Sequence, residues 1–132
     1  AESLLSQFIE NGVAKSVVSN GFEKVSECDV ALIAGMGGEE ICSIIESAKV
    51  LPQTLVLQPM KNCDKVRVKA LELGYKFMSD SMFKSAGKFY DLMVLQKGED
   101  SLTEQEIRFG RDNLNTANPF FREKISIEIE KI

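Results

Sequence analysis

Two short, almost wholly apolar runs most constrain how this sequence can fold. The runs DVALIA (29–34) and TLVLQP (54–59) each have the length of one strand. Such runs are typical of strands in a parallel sheet that is covered on both faces. Helical spacing of apolar residues follows each run, at 38–49 and at 63–73. Because parallel strands need a crossover connection, the sequence predicts β-α-β units.

Three further runs complete the predicted sheet. The run AKSVVS (14–19) is a short strand candidate that precedes the first apolar run. The runs YKFMSDSMF (75–83) and KFYDLMVLQ (88–96) are separated by only four residues, so we expect them to be antiparallel neighbours. Strands alternating with helices and closed by such a pair predict an α/β sheet that is parallel except at one edge.

Polar residues and glycines mark the expected helix ends. Asn62 can cap the helix over 63–73, and Gly74 can end it. Ser101 and Glu104 have the spacing of a capping box.

The last segment, 118–132, is predicted to be a helix. Asn118 suits the N-cap and Pro119 the first helical position. Four apolar residues then recur at helical spacing: Phe121, Ile125, Ile129 and Ile132. Alternation in ISIEIEKI (125–132) also permits a strand, but the cap favours a helix, and its apolar face is expected to pack on another helix.

The segment ALIAGMGGEEI (31–41) combines a strand end with three glycines and a helix start. Gly35, Gly37 and Gly38 would let a ligand approach the main chain with no Cβ in the way. The spacing matches neither the dinucleotide motif nor a P-loop, so the pattern is weak alone and also permits a simple tight turn.

Charge is distributed unevenly along a chain whose net charge is −4. Residues 1–60 carry 3 basic and 8 acidic side chains, residues 61–97 carry 8 and 4, and residues 98–132 carry 5 and 8. The basic middle segment suits contact with phosphates, and it equally permits a solvated helix face.

Composition excludes several classes of protein. The sequence has no histidine and only three scattered cysteines, which argues against a metal site, a disulfide framework and histidine-dependent hydrolysis. It shows neither a run of about 18 apolar residues nor a charged-then-apolar leader. We therefore expect a cytoplasmic protein that binds no membrane.

Several motifs taken together resemble one family, the bacterial tRNA (adenine-22-N1)-methyltransferases, which use S-adenosylmethionine. They are IAGMGG (33–38), the strand end LQP (57–59) and GKFYDLMV (87–94), within a similarity from ENGV (10–13) to NPFFREK (118–124). The family has a Rossmann-like class I methyltransferase sheet of seven strands, followed by a helical coiled-coil domain.

The resemblance implies that this sequence supplies strands three to seven of that sheet over 1–98 and the start of the helical domain over 99–132. The first two strands, the cofactor loop after strand one and the rest of the helical domain have no counterpart here. We therefore expect a piece truncated at both ends. Its exposed sheet edge, or residues 118–132, would be liable to self-association.

The resemblance also assigns cofactor residues. Asn20 and Gly21 stand where the family usually has Asp-Gly near the cofactor adenine. An asparagine there keeps an acceptor for the adenine amino group but lacks the charge, which weakens the expected affinity. The glycine segment supplies the other expected cofactor contacts, which are Gly35, Met36, Gly37 and Gly38.

Methyl transfer to adenine N1 sets the expected catalytic residues. The ring nitrogen attacks with its own lone pair, so the protein has to align the reactants, exclude water and accept from the 6-amino group. Exposed carbonyls at Ala34 and Gly35 can accept, and Gln58 lies at the end of the next strand. Tyr90, beside Phe89, is a candidate stacking partner for a flipped adenine, although edge-strand packing explains it equally well.

Lys61, Lys65 and Lys88 are the expected contacts to tRNA phosphates, with a solvated edge as the alternative for Lys88. Two other functions stay open at this point. One is a non-catalytic nucleotide-binding or regulatory domain, in which the glycines would cradle a phosphate at a helix N-terminus. The other is a helical interaction module built on 118–132.

Overall fold

The computed structural model describes residues 2–25 and 27–131, with side chains from Ser6 onward. The helices are α1 (Glu2–Glu10), α2 (Gly38–Glu46), α3 (Cys63–Glu72), α4 (Glu104–Phe109), α5 (Arg111–Asn115) and α6 (Pro119–Glu130). The strands are β1 (Val30–Met36), β2 (Thr54–Pro59), β3 (Tyr75–Ser85) and β4 (Lys88–Lys97).

The four strands form one mixed sheet in the order β1-β2-β4-β3. β1 runs parallel to β2 with Leu32 opposite Val56, whereas β4 is antiparallel to both of its neighbours. Ala86 and Gly87 both have positive φ, which is the conformation of a two-residue hairpin turn between β3 and β4. The predicted α/β sheet with a reversed strand near one edge is confirmed.

The hydrophobic core lies on one face of this sheet. Leu57 of β2 stands opposite Met93 of β4, and both are fully buried. Helices α2 and α3 cover them with Ile41, Ile45 and the α3 side chains Val66 and Ala70, which are also inaccessible to solvent. Burial of apolar surface of this kind is the main stabilising term of the fold.

The opposite face of the sheet is more open in the described residues. Val30 and Leu32 of β1 are 58% and 69% exposed, and the neighbouring Val56, Leu92 and Val94 are only partly buried. β1 is also an edge strand, because among the described strands it pairs with β2 alone. The expected exposed sheet edge is therefore present, and β1 forms it.

Three local predictions differ from the structure. Residues 14–19 form no strand, since no described strand lies beside them to pair with their N–H and C=O groups. Asn62 precedes α3 in a left-handed conformation, and its side chain caps nothing. The capping box lies at Thr103 and Glu106, two residues after the predicted pair, so α4 begins at Glu104.

The predicted helix at the end of the chain is confirmed as α6. Asn118 Oδ1 accepts hydrogen bonds from the N–H groups of Phe120 and Phe121, as an N-cap does. The ring of Phe121 contacts Phe109 of α4 edge to face, with centroids 5.8 Å apart. Ile132, predicted to continue the apolar face of α6, lies outside the described residues.

Side chains of the segment after β4 satisfy the outer edge of β3. These side chains accept hydrogen bonds from strand N–H groups or donate one to a strand carbonyl. The groups concerned are those with which another strand would otherwise pair. The pairs are Asp100 with Phe77 N, Asp112 with Asp80 N, Asn113 with Met82 N, and Asn118 with Met82 O. This edge is thus closed by the chain itself.

A buried ion pair connects α3 to the same region. Arg67 and Asp80 are each 1% exposed, and two guanidinium nitrogens of Arg67 lie 2.7 and 3.0 Å from the two Asp80 oxygens. Arg67 Nη1 also donates to the carbonyl of Ile107 in α4 at 2.9 Å. Burial is the largest single effect and opposes the guanidinium charge, but hydrogen bonding to Asp80 and the nearby negative charges together outweigh it and raise the pKa of Arg67.

The Asp100 carboxylate predicts a defined pH dependence of stability. Burial opposes its charge, but hydrogen bonds from Arg111 and from the N–H groups of Phe77 and Ser101 lower its pKa below the ordinary 3.8. A lowered folded-state pKa gives stability that is present above pH 3.8 and is lost as the pH falls through the folded value.

We therefore expect Asp100→Asn to lower the free energy of unfolding at neutral pH by about 1 to 2 kcal/mol. The difference from wild type should shrink as the pH falls through the lowered folded-state pKa, where the wild-type carboxylate is also protonated. Urea denaturation followed by circular dichroism at several pH values measures both. Glu99→Gln, at an exposed neighbour, is the control, and a pH-independent difference would contradict the prediction.

Candidate functional site

The end of β1 carries an open glycine turn. Gly35 has φ +77°, and a Cβ built on it would meet no protein atom within 4 Å. The pairing of β1 with β2 shifts register between Ala34 and Met36, so Gly35 forms a bulge at the strand end. Ala34 and Gly35 are both exposed. The turn thus leaves bare main chain accessible to a ligand, as the sequence predicted.

Gln58 fixes this turn from the neighbouring strand. Its Oε1 accepts from Gly35 N at 3.0 Å, and its Nε2 lies 3.4 Å from Met60 Sδ. Gln58 is also the register partner of Ala34. The predicted catalytic residues Ala34, Gly35 and Gln58 are therefore adjacent at one end of the sheet.

Gly37 and Gly38 are placed differently from Gly35. Gly38 N donates to Lys61 O at 2.8 Å, and a Cβ at Gly38 would lie 2.4 Å from Asn62 O. Gly38 is therefore required by close packing of α2 on the loop after β2. Gly37 has an ordinary φ of −66° and would place a Cβ 3.3 Å from the flexible Lys61 side chain.

A cavity of about 550 Å³, here named the cofactor-side cavity, lies beside the turn at residues 19–22. Asn20, Gly21 and Met36 line it, so the structure brings together three of the predicted cofactor residues. Apolar side chains line it further, among them Phe22, Ala31, Ile33 and Ile44. The sequence analysis did not select Phe22 as a candidate site residue, although its position directly after Asn20-Gly21 indicated that it could line the same cavity.

Tyr90 lies on the more open face of the sheet. It pairs with Phe83 across the β3–β4 hairpin, and the two rings stack with centroids 5.4 Å apart. By the alternation along β4, Phe89 and Asp91 point to the opposite face. Tyr90 thus shares a face with Gln58, while Phe89 does not.

The three predicted RNA-binding lysines are exposed but differ in their partners. Lys65 forms an ion pair with Glu39 of α2, which offsets its charge. Lys61 lies in the loop before α3, and Lys88 lies at the tip of the β3–β4 hairpin. Lys61 and Lys88 therefore remain the better placed to meet a phosphate.

No group of side chains that could hold a metal ion occurs among the residues that the structure describes. Within the same residues, no helix has the length and apolar character needed to cross a membrane.

Comparison with known proteins shows the family of this chain. Residues 2–132 match the profile of the family described as TrmK, tRNA (adenine(22)-N(1))-methyltransferase. This chain belongs to that family. The match to the TrmK family covers the glycine turn and the residues that line the cofactor-side cavity.

A curated relative supports the assignment. The tRNA (adenine(22)-N(1))-methyltransferase of Bacillus subtilis (strain 168) is 28% identical over 112 residues. That alignment covers 82% of this chain and 46% of the relative, so the chain spans about half the length of the curated relative it matches.

Solved structures have the same fold. Streptococcus pneumoniae Sp1610, determined in complex with S-adenosyl-L-methionine, is 29% identical with a TM-score of 0.83, covering 98% of this chain and 65% of that one. M. capricolum TrmK in complex with S-adenosyl-homocysteine has a TM-score of 0.84 at 21% identity, covering 98% and 60%. This second likeness concerns the fold alone.

The packing around α2 predicts unequal effects at the two adjacent glycines. We expect Gly38→Ala to lower the free energy of unfolding by about 1 to 3 kcal/mol, because its Cβ would collide with backbone oxygen atoms. Gly37→Ala is the matched control, since only the movable Lys61 side chain has to shift. Thermal denaturation of both variants measures the difference, and equal melting temperatures would contradict the assigned packing role of Gly38.

Proposed function

We propose that this chain forms part of an S-adenosylmethionine-dependent methyltransferase that modifies N1 of an adenine in tRNA. The observation that carries the proposal is the open turn at Gly35, held by Gln58 beside a cavity lined by Asn20 and Gly21. Membership of the TrmK family and the cofactor complex of Sp1610 support it.

The cofactor-side cavity fits the adenine end of S-adenosylmethionine. Its apolar lining suits the faces of a purine ring, and Phe22 offers an aromatic contact. The amide oxygen of Asn20 can accept from the purine amino group. We assign residues of this chain to the adenine end alone. When bound, the cofactor supplies an electrophilic methyl group on a sulfonium.

The Gly35 turn would align the target adenine. N1 of adenine attacks with its lone pair, and the 6-amino group beside it becomes more acidic as positive charge develops on the ring. Ala34 and Gly35 are exposed, and their carbonyls can accept hydrogen bonds from that amino group and stabilise the charge. Gln58 holds the turn by accepting from Gly35 N, so it is a positioning residue. Alignment of this kind supplies a large part of catalysis by such enzymes.

Tyr90 and the lysines would contact the RNA. Tyr90 shares the face of Gln58 and can stack on a base that leaves its helix. Lys61 and Lys88 can bind phosphates, and Lys65 contributes less because Glu39 pairs with it.

The phosphate-binding alternative is disfavoured by the same turn. Gly35 N is bonded to Gln58, and Gly38 N is bonded to Lys61 O, so neither N–H is available for a phosphate. An anion site at a helix N-terminus requires such groups to point at the ligand.

We further infer that residues 1–98 belong to the methyltransferase domain, that residues 99–132 begin a helical coiled-coil domain, and that the protein acts in the cytoplasm, where tRNA is found.

The exposed edge of β1, and the apolar side of 118–132, favour self-association of this chain. Sedimentation velocity at increasing concentration tests this, and a constant monomer mass would refute it.

Calorimetric titration with S-adenosylhomocysteine tests the cofactor site. We expect binding by the longest form of the protein that contains these residues, and about tenfold weaker binding by Phe22→Ala, because an aromatic contact to the purine is lost. Phe83→Ala, at an aromatic residue outside the cavity, should leave the affinity unchanged. Preference for NAD over S-adenosylhomocysteine would refute the proposal.

A second prediction concerns activity. Gly35→Val should reduce methylation of tRNA by about 100-fold or more, since a branched side chain would fill the space between cofactor and target. Gly74→Val is the matched control, because Gly74 has φ +86° and equally open surroundings at the end of α3. Both variants carry similar backbone strain. Radiolabelled methyl transfer compares them, and equal activities would remove the turn from the mechanism.

A further inference from the structure

A second cavity, here named the helical cleft, lies on the other side of the β2 end from the cofactor-side cavity. It has a volume of about 550 Å³, which is within the range of about 300 to 1,000 Å³ common for ligand sites. The end of β2, the loop at 60–62, helix α3, the β3–β4 hairpin and helices α4 and α6 line it. None of the predicted site residues except Lys61 lines it.

A carboxylate forms one wall of the helical cleft. The Asp91 side chain is 15% exposed, and its two oxygens lie 3.4 Å from Arg67 Nη2 and 3.4 Å from Cys63 Sγ. The contact with Arg67 is long, because Asp80 holds the same guanidinium more closely, at 2.7 and 3.0 Å. One guanidinium thus faces two carboxylates, so Asp91 keeps lone pairs that can accept hydrogen bonds from a ligand.

Cys63 contributes a neutral thiol to this wall of the helical cleft. Burial, followed by the nearby Asp91 carboxylate, raises the pKa of the Cys63 thiol to about 12. The thiol therefore stays protonated at neutral pH and acts as a weak donor to Asp91. Asp91 is thus the hydrogen-bond acceptor in this wall of the helical cleft, and Cys63 is a donor to it.

Aromatic rings and cations complete the helical cleft. Phe89 and Phe121 line it, and Phe121 is held by its edge-to-face contact with Phe109. The cations Lys61 and Lys124 line it as well, and Lys124 is 40% exposed with its carboxylate partner 4.0 Å away. Rings suit stacking on a base, and exposed lysines suit phosphate.

We propose that the helical cleft binds a nucleotide of single-stranded RNA whose base carries an amino group. The base would lie near Phe89 and Phe121 with its amino group donating to Asp91, and its phosphate would face Lys61 and Lys124. This inference rests on the proposed RNA methylation, which it deepens by adding a site for a nucleotide other than the target.

The position of the helical cleft fits that role. Met60 lines it and lies 3.4 Å from Gln58 Nε2, while Gln58 Oε1 accepts from Gly35 N. One side chain thus separates the cleft from the turn that would hold the target adenine. A nucleotide in the helical cleft would therefore orient the RNA strand close to the reacting base.

Titration with nucleoside monophosphates, followed by amide chemical shifts, tests the proposal. AMP, GMP and CMP should shift the signals of Phe89, Asp91 and Phe121, whereas UMP, which has no amino group, should bind about tenfold more weakly. Absence of shifts there with all four nucleotides at about 5 mM would overturn the proposal, and so would equal affinity for UMP.

Two variants separate recognition of the base from attraction of the phosphate. Asp91→Asn keeps the shape but has both donor and acceptor groups, so it should abolish the discrimination against UMP. Lys124→Gln should weaken the binding of all four nucleotides alike. Lys97→Gln is its control, because Lys97 lies at the end of β4 away from Phe89 and Asp91. Retained discrimination in Asp91→Asn, or an equal loss in Lys97→Gln, would overturn the proposal.

The same spectra distinguish this proposal from the cofactor site. S-adenosylhomocysteine should shift Asn20, Gly21 and Phe22 and leave the cleft signals in place. Nucleotide binding without S-adenosylhomocysteine binding would refute the methyltransferase proposal alone. Binding of S-adenosylhomocysteine without cleft shifts would refute the helical cleft alone.

Discussion

The buried pair of Arg67 and Asp80 is the interaction on which the arrangement around the site depends. It joins α3 to β3, and through the carbonyl of Ile107 it also joins α4. A charge so deeply buried is tolerated only when its partners are in place, and removing one partner of such a pair costs about 3 to 5 kcal/mol. The pair thus fixes how the helical segment stands against the sheet.

The same network shapes the helical cleft. Because Asp80 occupies most of the Arg67 guanidinium, Asp91 keeps longer contacts and faces the cavity. The side chains that close the outer edge of β3 hold α5 and the start of α6 in place, and with them the wall that carries Phe121. Asp80, which stabilises the fold, and Asp91, a candidate binding residue, therefore lie in the same β3–β4 hairpin.

The two edges of the sheet differ in whether other groups of the chain cover them. β3 is closed by carboxylates and amides from the following segment, whereas β1 leaves Leu32 69% exposed. An open apolar edge is a surface on which another strand can pair. In this chain the candidate cofactor residues lie on the β1 side, so pairing at that edge and cofactor binding concern the same part of the molecule.

The sequence by itself determined the order of helices and strands from residue 29 to residue 97 and the final helix α6, because the apolar runs, Gly74 and the Asn118 cap act through local spacing and backbone conformation. It also located the Gly35 turn, since glycine adopts a positive φ at no steric cost and leaves the main chain bare. It did not predict α5, whose segment is polar and turn-rich. The strand over 14–19 failed for a tertiary reason, as a strand exists only beside a partner.

Tertiary structure alone decided the rest. Gly38 and Gly35 are part of the same glycine-rich pattern in the sequence. Position 38, however, requires glycine because the loop at 61–62, which only folding brings near, leaves no room for a Cβ. Asp91 and Cys63 are 28 residues apart, and no spacing pattern predicts that they meet in a cleft. Local rules act within a few residues, whereas burial and charge pairing depend on which distant segments the fold places in contact.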